Sequence, residues 1–197
     1  MKKAILLPIL TILIMAALLL GLTFGTRGLA TENAQKEHLQ VMQTLLPGSK
    51  SFTLEPYDGE DANIRCVHKG ETGFVIEAVT RGYAGDITML IGVSSDGKVT
   101  GLTIRDMQET AGLGMSAMWD WEFLARFLNT EGGVAIGQPG EDAFSGATGT
   151  ESTGEETYVD AITGATVTSK AIARCVNSAI AYVTGADVSS GATSWGG

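Results

Sequence analysis

The sequence predicts an α+β fold: a single N-terminal transmembrane helix, then one extracytoplasmic domain in which an antiparallel sheet is flanked by helices. Three observations carry this prediction. Residues 4–25 are almost wholly apolar, residues 73–106 contain runs of alternating apolar and polar side chains, and residues 171–183 repeat apolar side chains at spacings of three and four. These patterns are typical of a membrane span, of half-buried strands and of an amphipathic helix.

The N-terminal apolar run is long enough to cross a bilayer, because residues 4–25 would form about 33 Å of helix. Lys2 and Lys3 precede it. We therefore expect a single-pass protein of the cell membrane, with a cytoplasmic N-terminus and the rest outside. A cleaved signal peptide is the alternative, but the run is long for one and Arg27 lies close to any plausible cleavage site. Residues 1–27 are thus expected to form a retained anchor.

A connecting helix and loop are expected over residues 28–66. Apolar residues at helical spacing predict a helix over residues 31–46, and Pro47 and Gly48 end it. Three strands follow, over residues 73–80, 87–93 and 99–105, joined by glycine-containing turns. The alternation therefore predicts an antiparallel meander.

A further helix is predicted over residues 119–129, with an apolar face of four residues. These are Trp121, Leu124, Phe127 and Leu128. An aromatic stripe at helical spacing is usually part of the core, so we expect this face to point inward.

Charge and cysteine content narrow the possible functions. A net charge of −9 argues against nucleic acid and anionic lipid as partners. Cys66 and Cys175 are either a disulfide pair or two small core residues. No metal site is expected, because there is no Cys-x-x-Cys and the only histidines are His38 and His68.

The C-terminal stretch Asp160-Ala-Ile-Thr-Gly-Ala-Thr-Val-Thr-Ser169 leads directly into the last amphipathic helix. Thr168 or Ser169 is suited to cap that helix. A helix N-terminus that follows small residues such as Gly164 and Ala165 is suited to bind a phosphate. From the spacing alone, a capped surface helix after an ordinary turn is the favoured interpretation.

The order Asp, two residues, Thr-Gly-Ala-Thr, one residue, Thr resembles the attachment motif of the FMN-binding domain family. That family includes the G subunit of Rnf electron-transport complexes and the C subunit of Na+-translocating NADH:quinone reductases. In the family, the last Thr of Thr-Gly-Ala-Thr carries FMN through a phosphoester bond that a flavin transferase installs, and this position is Thr166. The resemblance implies an FMN-binding domain over residues 67–185, followed by a tail over residues 186–197.

A second motif, Glu109-Thr-Ala-Gly-Leu-Gly-Met115, resembles the family's Glu-Thr-Pro-Gly-Leu-Gly, with Ala111 in place of Pro. It follows a Gly-Tyr-x-Gly turn and an Asp-Gly-Lys-Val turn, as in the family, and the resemblance implies that this loop lies against the flavin. The resulting candidate cofactor-binding residues are Asp160, Thr163, Gly164, Ala165, Thr166, Ser169, Glu109, Thr110, Gly112, Leu113, Gly114 and Met115.

Residues 142–150 repeat nearly the same pattern, so Thr148 is a rival attachment site. The residues after Thr148 have no apolar helical stripe and include three glutamates, which would repel a phosphate. Thr166 is therefore favoured, and a second flavin on Thr148 remains an alternative.

The resemblance implies a membrane-anchored electron carrier on the outer face of an Rnf-type complex, which couples electron flow between ferredoxin and NAD to Na+ or H+ movement. The expected partners are the other membrane subunits and, during maturation, the flavin transferase. No general base, nucleophile or metal cluster is visible, which favours a relay over a hydrolase. Three alternatives stay open: the C subunit of the NADH:quinone reductase, a standalone surface electron carrier, and an anchored binding module without a cofactor.

Overall fold

A computed structural model describes residues 2–137 and 157–185, with side chains of the first helix described at residues 12–21 and from residue 33 onward. The elements are α1 (Lys2–Leu45), β1 (Thr53–Glu55), β2 (Ile64–Lys69), β3 (Gly73–Arg81), β4 (Asp86–Ser94), β5 (Val99–Met107), a 3-10 helix (Gly114–Met118), α2 (Trp121–Ala125), β6 (Val134–Ile136), β7 (Thr157–Val159) and α3 (Thr166–Thr184). The chain divides into two compact units, Met1–Val41 and Met42–Gly197. Thr148 with its motif, and residues 186–197, lie outside the described residues.

The first unit lies within α1, which is a single helix from Lys2 to Leu45. The sequence predicted a span and a separate connecting helix, whereas the structure joins the two without a break. Of the helices built from described residues, none is both long and apolar enough to cross a membrane.

The second unit contains a five-stranded antiparallel sheet in the order β1-β2-β3-β4-β5. The predicted meander is confirmed as β3, β4 and β5. At the β4–β5 turn, Ser94 N donates to Lys98 O at 2.8 Å and Gly97 has a φ of 88°, which is the conformation that favours glycine in a tight turn. The sequence pattern does not reveal β1, which has only three residues.

One face of the sheet packs against α3 and forms the main core. Both elements contribute fully buried apolar side chains, among them Ile76, Met89, Ile91, Ile172 and Val176. The predicted amphipathic stripe of the last helix is therefore confirmed.

The end of α1 lies against Gly92 and Gly101, which are paired across β4 and β5. A Cβ on Gly101 would lie 2.8 Å from Leu45 Cα, and one on Gly92 would lie 2.7 Å from the Leu45 carbonyl carbon. Thr100 Oγ1 also donates to Leu45 O at 2.6 Å. Only glycine allows backbone to approach this closely.

A short parallel pair, β6 and β7, flanks α3. The Asn177 side chain bonds both backbone groups of Val134: its Oδ1 accepts from Val134 N at 2.8 Å, and its Nδ2 donates to Val134 O at 3.0 Å. The Asn177 amide thus satisfies the backbone groups of Val134 as a neighbouring strand would. Strand β7 leads directly to Asp160.

The helix predicted over residues 119–129 is wrong in its extent, and its predicted inward face is confirmed for Leu124 and Phe127 but wrong for Trp121 and Leu128. Helix α2 spans only Trp121–Ala125, and Asp120 caps it by accepting from Phe123 N at 2.9 Å. This start turns Phe123 inward with Leu124 and Phe127, whereas Trp121 and Leu128 are exposed.

Both cysteines are free thiols. Cys175 is a fully buried core residue and Cys66 is half-buried. Burial raises the pKa of the Cys175 thiol to about 12. Of the two interpretations, a disulfide pair or two small core residues, the structure supports the second.

Candidate functional site

The turn over residues 162–165, here called the Gly164 turn, leads into α3. Ala165 N donates to Ile162 O at 2.9 Å, and Gly164 has a φ of 77°. A positive φ at the third position of a β-turn favours glycine. The turn therefore explains why Gly stands between Thr163 and Ala165.

Helix α3 begins at Thr166, and its N-cap residue Ala165 makes no side-chain capping bond. The predicted cap at Thr168 or Ser169 is wrong, because both residues lie inside the first turn and are buried. The Ser169 hydroxyl instead accepts from Ile162 N at 3.1 Å and donates to Ala165 O at 3.0 Å. Ser169 thus fastens the Gly164 turn to the helix from inside.

The segment 109–115, here called the Gly114 loop, is fixed to the β3–β4 turn by Glu109. The buried carboxylate accepts from Tyr83 N at 2.7 Å, and Ala84 N lies 3.4 Å from each of its oxygens. Backbone donors satisfy a buried carboxylate without a cation. Glu109 therefore braces the loop.

The Gly164 turn and the Gly114 loop meet at two glycines. A Cβ on Gly114 would collide with Thr168 Oγ1 and lie 2.9 Å from Glu109 Oε2. A Cβ on Gly164 would lie 3.1 Å from Leu113 Cδ2. The structure therefore brings together the two motifs that are far apart in the sequence.

Asp160 lies at the exposed start of this region, where its Oδ2 is 3.4 Å from Arg126 Nη1. Arg126 also pairs with Glu122 at 3.4 Å. Sequence reasoning missed Arg126, and no local signal could have revealed a pairing between residues 34 positions apart.

The remaining candidate residues fall into an exposed group and a supporting group. The exposed residues are Thr163, Gly164, Thr166, Thr110, Gly112 and Leu113, whereas Ala165 and Gly114 are buried and Met115 is half-buried. Among the hydrogen bonds of the described residues, none joins the Thr166 hydroxyl to a carboxylate or an imidazole. Thr166 is thus an exposed threonine at a helix N-terminus whose N-cap residue makes no side-chain capping bond.

A domain with this antiparallel sheet, this last helix and these two loops matches a known family. The family described as the FMN-binding domain matches residues 82–181, which include both loops. The chain belongs to this family.

Proteins similar in sequence include subunits of ion-translocating oxidoreductase complexes. The G subunit of the Na(+)-translocating ferredoxin:NAD(+) oxidoreductase complex of Acetobacterium woodii is 37% identical over 103 residues, which are 51% of this chain and 44% of that protein. The G subunit of the ion-translocating oxidoreductase complex of Methanosarcina acetivorans is 32% identical over 181 residues, which are 85% of this chain and 87% of that protein. The chain spans about half the length of the Acetobacterium relative and of a Clostridium ljungdahlii relative.

A solved structure is also similar. The C subunit of the Na(+)-translocating NADH-quinone reductase of Parabacteroides distasonis aligns with a TM-score of 0.49 at 19% identity, over 72% of this chain and 79% of that chain.

Proposed function

We propose that this chain is a membrane-anchored electron-transfer subunit that carries FMN on Thr166 through a phosphoester bond. The observation that carries the proposal is the accessible Thr166 hydroxyl at the uncapped N-terminus of α3, next to the Gly114 loop. A phosphate at this position is favoured by the free N–H groups and by the helix dipole.

The attachment step requires an activated flavin nucleotide and a transferase. Thr166 Oγ1 forms the new bond to phosphorus, the bond between that phosphorus and its leaving group breaks, and the hydroxyl proton passes to a base of the transferase. Exposure of Thr163, Gly164 and Thr166 gives the transferase access to this hydroxyl. Asp160, which is also exposed, supports recognition of the motif.

The residues around Thr166 fit a phosphate-bearing cofactor. Gly164 has no Cβ to obstruct the group, and Ser169 holds the turn in one conformation. The Gly114 loop offers Leu113, which is partly exposed, to an apolar ring. The bound flavin would supply the electron chemistry, while the chain supplies placement and solvent exclusion.

Membrane attachment through residues 4–25 is part of the proposal. The large apolar side chains described between Ile12 and Leu20 are all more than half exposed, which favours a lipid environment over water. Lys2 and Lys3 before the run support a cytoplasmic N-terminus and an extracytoplasmic domain.

The wider assignment is an Rnf-type ion-translocating ferredoxin:NAD oxidoreductase, with its other membrane subunits as partners. The names of the Acetobacterium and Methanosarcina relatives, both of them G subunits, support it over the C subunit of the NADH:quinone reductase. In this arrangement the chain relays electrons between neighbouring carriers and need not contact ferredoxin or NAD.

The test is ultraviolet fluorescence in a denaturing gel after co-expression with an active flavin transferase. The parent chain runs beside Thr166→Val, Thr148→Val and Thr163→Val. The last variant is a matched control, because Thr163 is also an exposed hydroxyl of the same motif. Fluorescence should disappear with Thr166→Val alone, and mass spectrometry should find FMN on the peptide that contains Thr166.

Loss with Thr148→Val alone would move the attachment to the other copy of the motif. No fluorescence in any lane, with the transferase active on another substrate, would reject covalent flavin and leave an anchored binding module.

A further inference from the structure

Three large apolar side chains stand exposed on the Gly114 loop and on the segment that follows it. Trp119 and Trp121 are each 70% exposed, and Leu113 is 46% exposed. We call these three residues the indole face. Two indoles on neighbouring positions are rarely left in water without a partner, because tryptophan is among the residues most enriched in the centres of protein interfaces.

The indole face is continuous with the candidate flavin site. Leu113 packs against the Gly164 turn, and α2, which begins at Trp121, is tied to Asp160 through Arg126. Anything that docks on these indoles therefore also approaches Thr166.

The segment that carries Trp119 and Trp121 is acidic. Residues 106–125 contain four acids and neither lysine nor arginine. Asp106 and Glu122 are exposed, and Arg126, the first cation after this segment, is already shared between Glu122 and Asp160. An aromatic centre with an acidic rim is complementary to an apolar surface ringed by lysine or arginine.

We propose that the indole face is the docking surface for a redox partner protein whose contact surface has an apolar centre and a basic rim. This inference rests on the proposed function, because an electron carrier must exchange electrons with a partner that docks near its cofactor. An anionic membrane surface would also accept tryptophan, but the acidic rim repels its headgroups.

Photo-crosslinking in membranes of the native host tests the surface directly. The full chain carries p-benzoylphenylalanine at Trp119 or, as a control, at Leu54, which is 62% exposed on edge strand β1. We expect position 119 to capture a protein partner, at a peptide rich in lysine or arginine, with at least about tenfold higher yield than position 54. Equal yields from the two positions, or crosslinks to lipid alone, would overturn the proposal.

Charge reversal then separates a protein partner from a membrane. Glu122→Lys should reduce copurification of the captured protein and lower the rate of electron transfer between the two proteins by about tenfold or more. High salt should reduce both quantities for the parent chain in the same way. Association strengthened by Glu122→Lys would contradict a basic partner and indicate anionic lipid.

The double variant W119A/W121A should weaken the partner interaction by about thirtyfold, as expected for central aromatic residues, while its covalent flavin content stays unchanged. Loss of flavin from this variant would mean that the indoles belong to the cofactor site. A parent chain without gel fluorescence rejects the proposed function, whereas the crosslinking result rejects or supports the docking surface by itself.

Discussion

Two pairs of glycines let parts of this molecule approach closely, and they do so for different ends. Gly92 and Gly101 sit opposite each other in the sheet, are buried, and face the backbone of Leu45. Gly114 and Gly164 face side chains, Thr168 and Leu113 respectively, and Gly164 is exposed.

The difference lies in what can move. The backbone of a sheet cannot move aside, so the contact with Gly92 and Gly101 holds the Leu45 end of α1 firmly against the sheet. A contact with side chains can yield in part, because side chains can rotate. Thr163 and Thr166, which lie beside Gly164, are exposed to solvent. The first pair therefore supports stability, and the second aligns two loops for the site.

Gly92→Ala should have the largest effect on stability. Its Cβ would collide with the Leu45 carbonyl oxygen and lie 2.9 Å from Thr100 Oγ1. We expect a loss of about 3 kcal/mol in the free energy of unfolding, which hydrogen exchange of the β4 and β5 amides in detergent would measure. Gly21→Ala is the control, because nothing lies within 4 Å of its Cβ. Unchanged protection in Gly92→Ala would show that the α1 end can shift.

Gly114→Ala should destabilise less, by about 2 kcal/mol, yet reduce flavin incorporation more than Gly92→Ala at a temperature where both variants are folded. Its new methyl group would displace Thr168 and Glu109, which join the two loops. Gel fluorescence normalised to folded protein measures incorporation.

Removal of the obstructing atom sharpens this result. In G114A/T168A the Thr168 hydroxyl that would obstruct the new methyl group is gone. The loss of unfolding free energy in this double variant should therefore be about 1 kcal/mol smaller than the sum of the losses in the two single variants. Strict additivity would contradict the contact between Gly114 and Thr168.

Ser169→Ala should lower the free energy of unfolding by about 1 kcal/mol, because it leaves the half-buried Ile162 N–H without its acceptor. Ser178→Ala is a matched control: Ser178 is another buried serine of α3, and its Oγ accepts from Asn63 Nδ2 at 3.2 Å, away from the Gly164 turn. Both variants should lose comparable stability, but only Ser169→Ala should slow flavin incorporation. Equal incorporation rates in the two variants would reduce Ser169 to a purely structural role.

Much of this arrangement could be predicted from the sequence, because periodicity reports which face of an element is buried. Alternation revealed β3, β4 and β5, and three-four spacing revealed α3. The strands β1, β6 and β7 have only three residues each, which is too short for a period to be visible.

The start of α3 could not be predicted for a different reason. Thr166, Thr168 and Ser169 are all able to cap a helix, so composition alone does not choose among them. The Gly164 turn decides, because it closes on Ala165 and directs Ser169 back toward Ile162. Contacts between distant segments, such as Gly114 with Thr168 or Arg126 with Asp160, cannot be read from the strand alternation or from the helical spacing.

Arg126→Gln should have the smallest effect. The ion pair between Arg126 and Asp160 is exposed on both sides, so its loss should change the unfolding free energy by less than about 1 kcal/mol. If the guanidinium orients Asp160 for the transferase, the initial rate of flavin incorporation should fall by about two- to fivefold at low salt, and this difference should vanish at high salt.

Arg81→Gln is the matched control for this prediction, because Arg81 forms a similarly exposed pair with Asp86 at 3.5 Å. Arg126→Lys should restore part of the rate, since it keeps the charge but loses the planar geometry of the guanidinium. A faster rate in Arg126→Gln would reverse the interpretation: Arg126 would then compete with the transferase for Asp160, and the pair would have to open before Thr166 reacts.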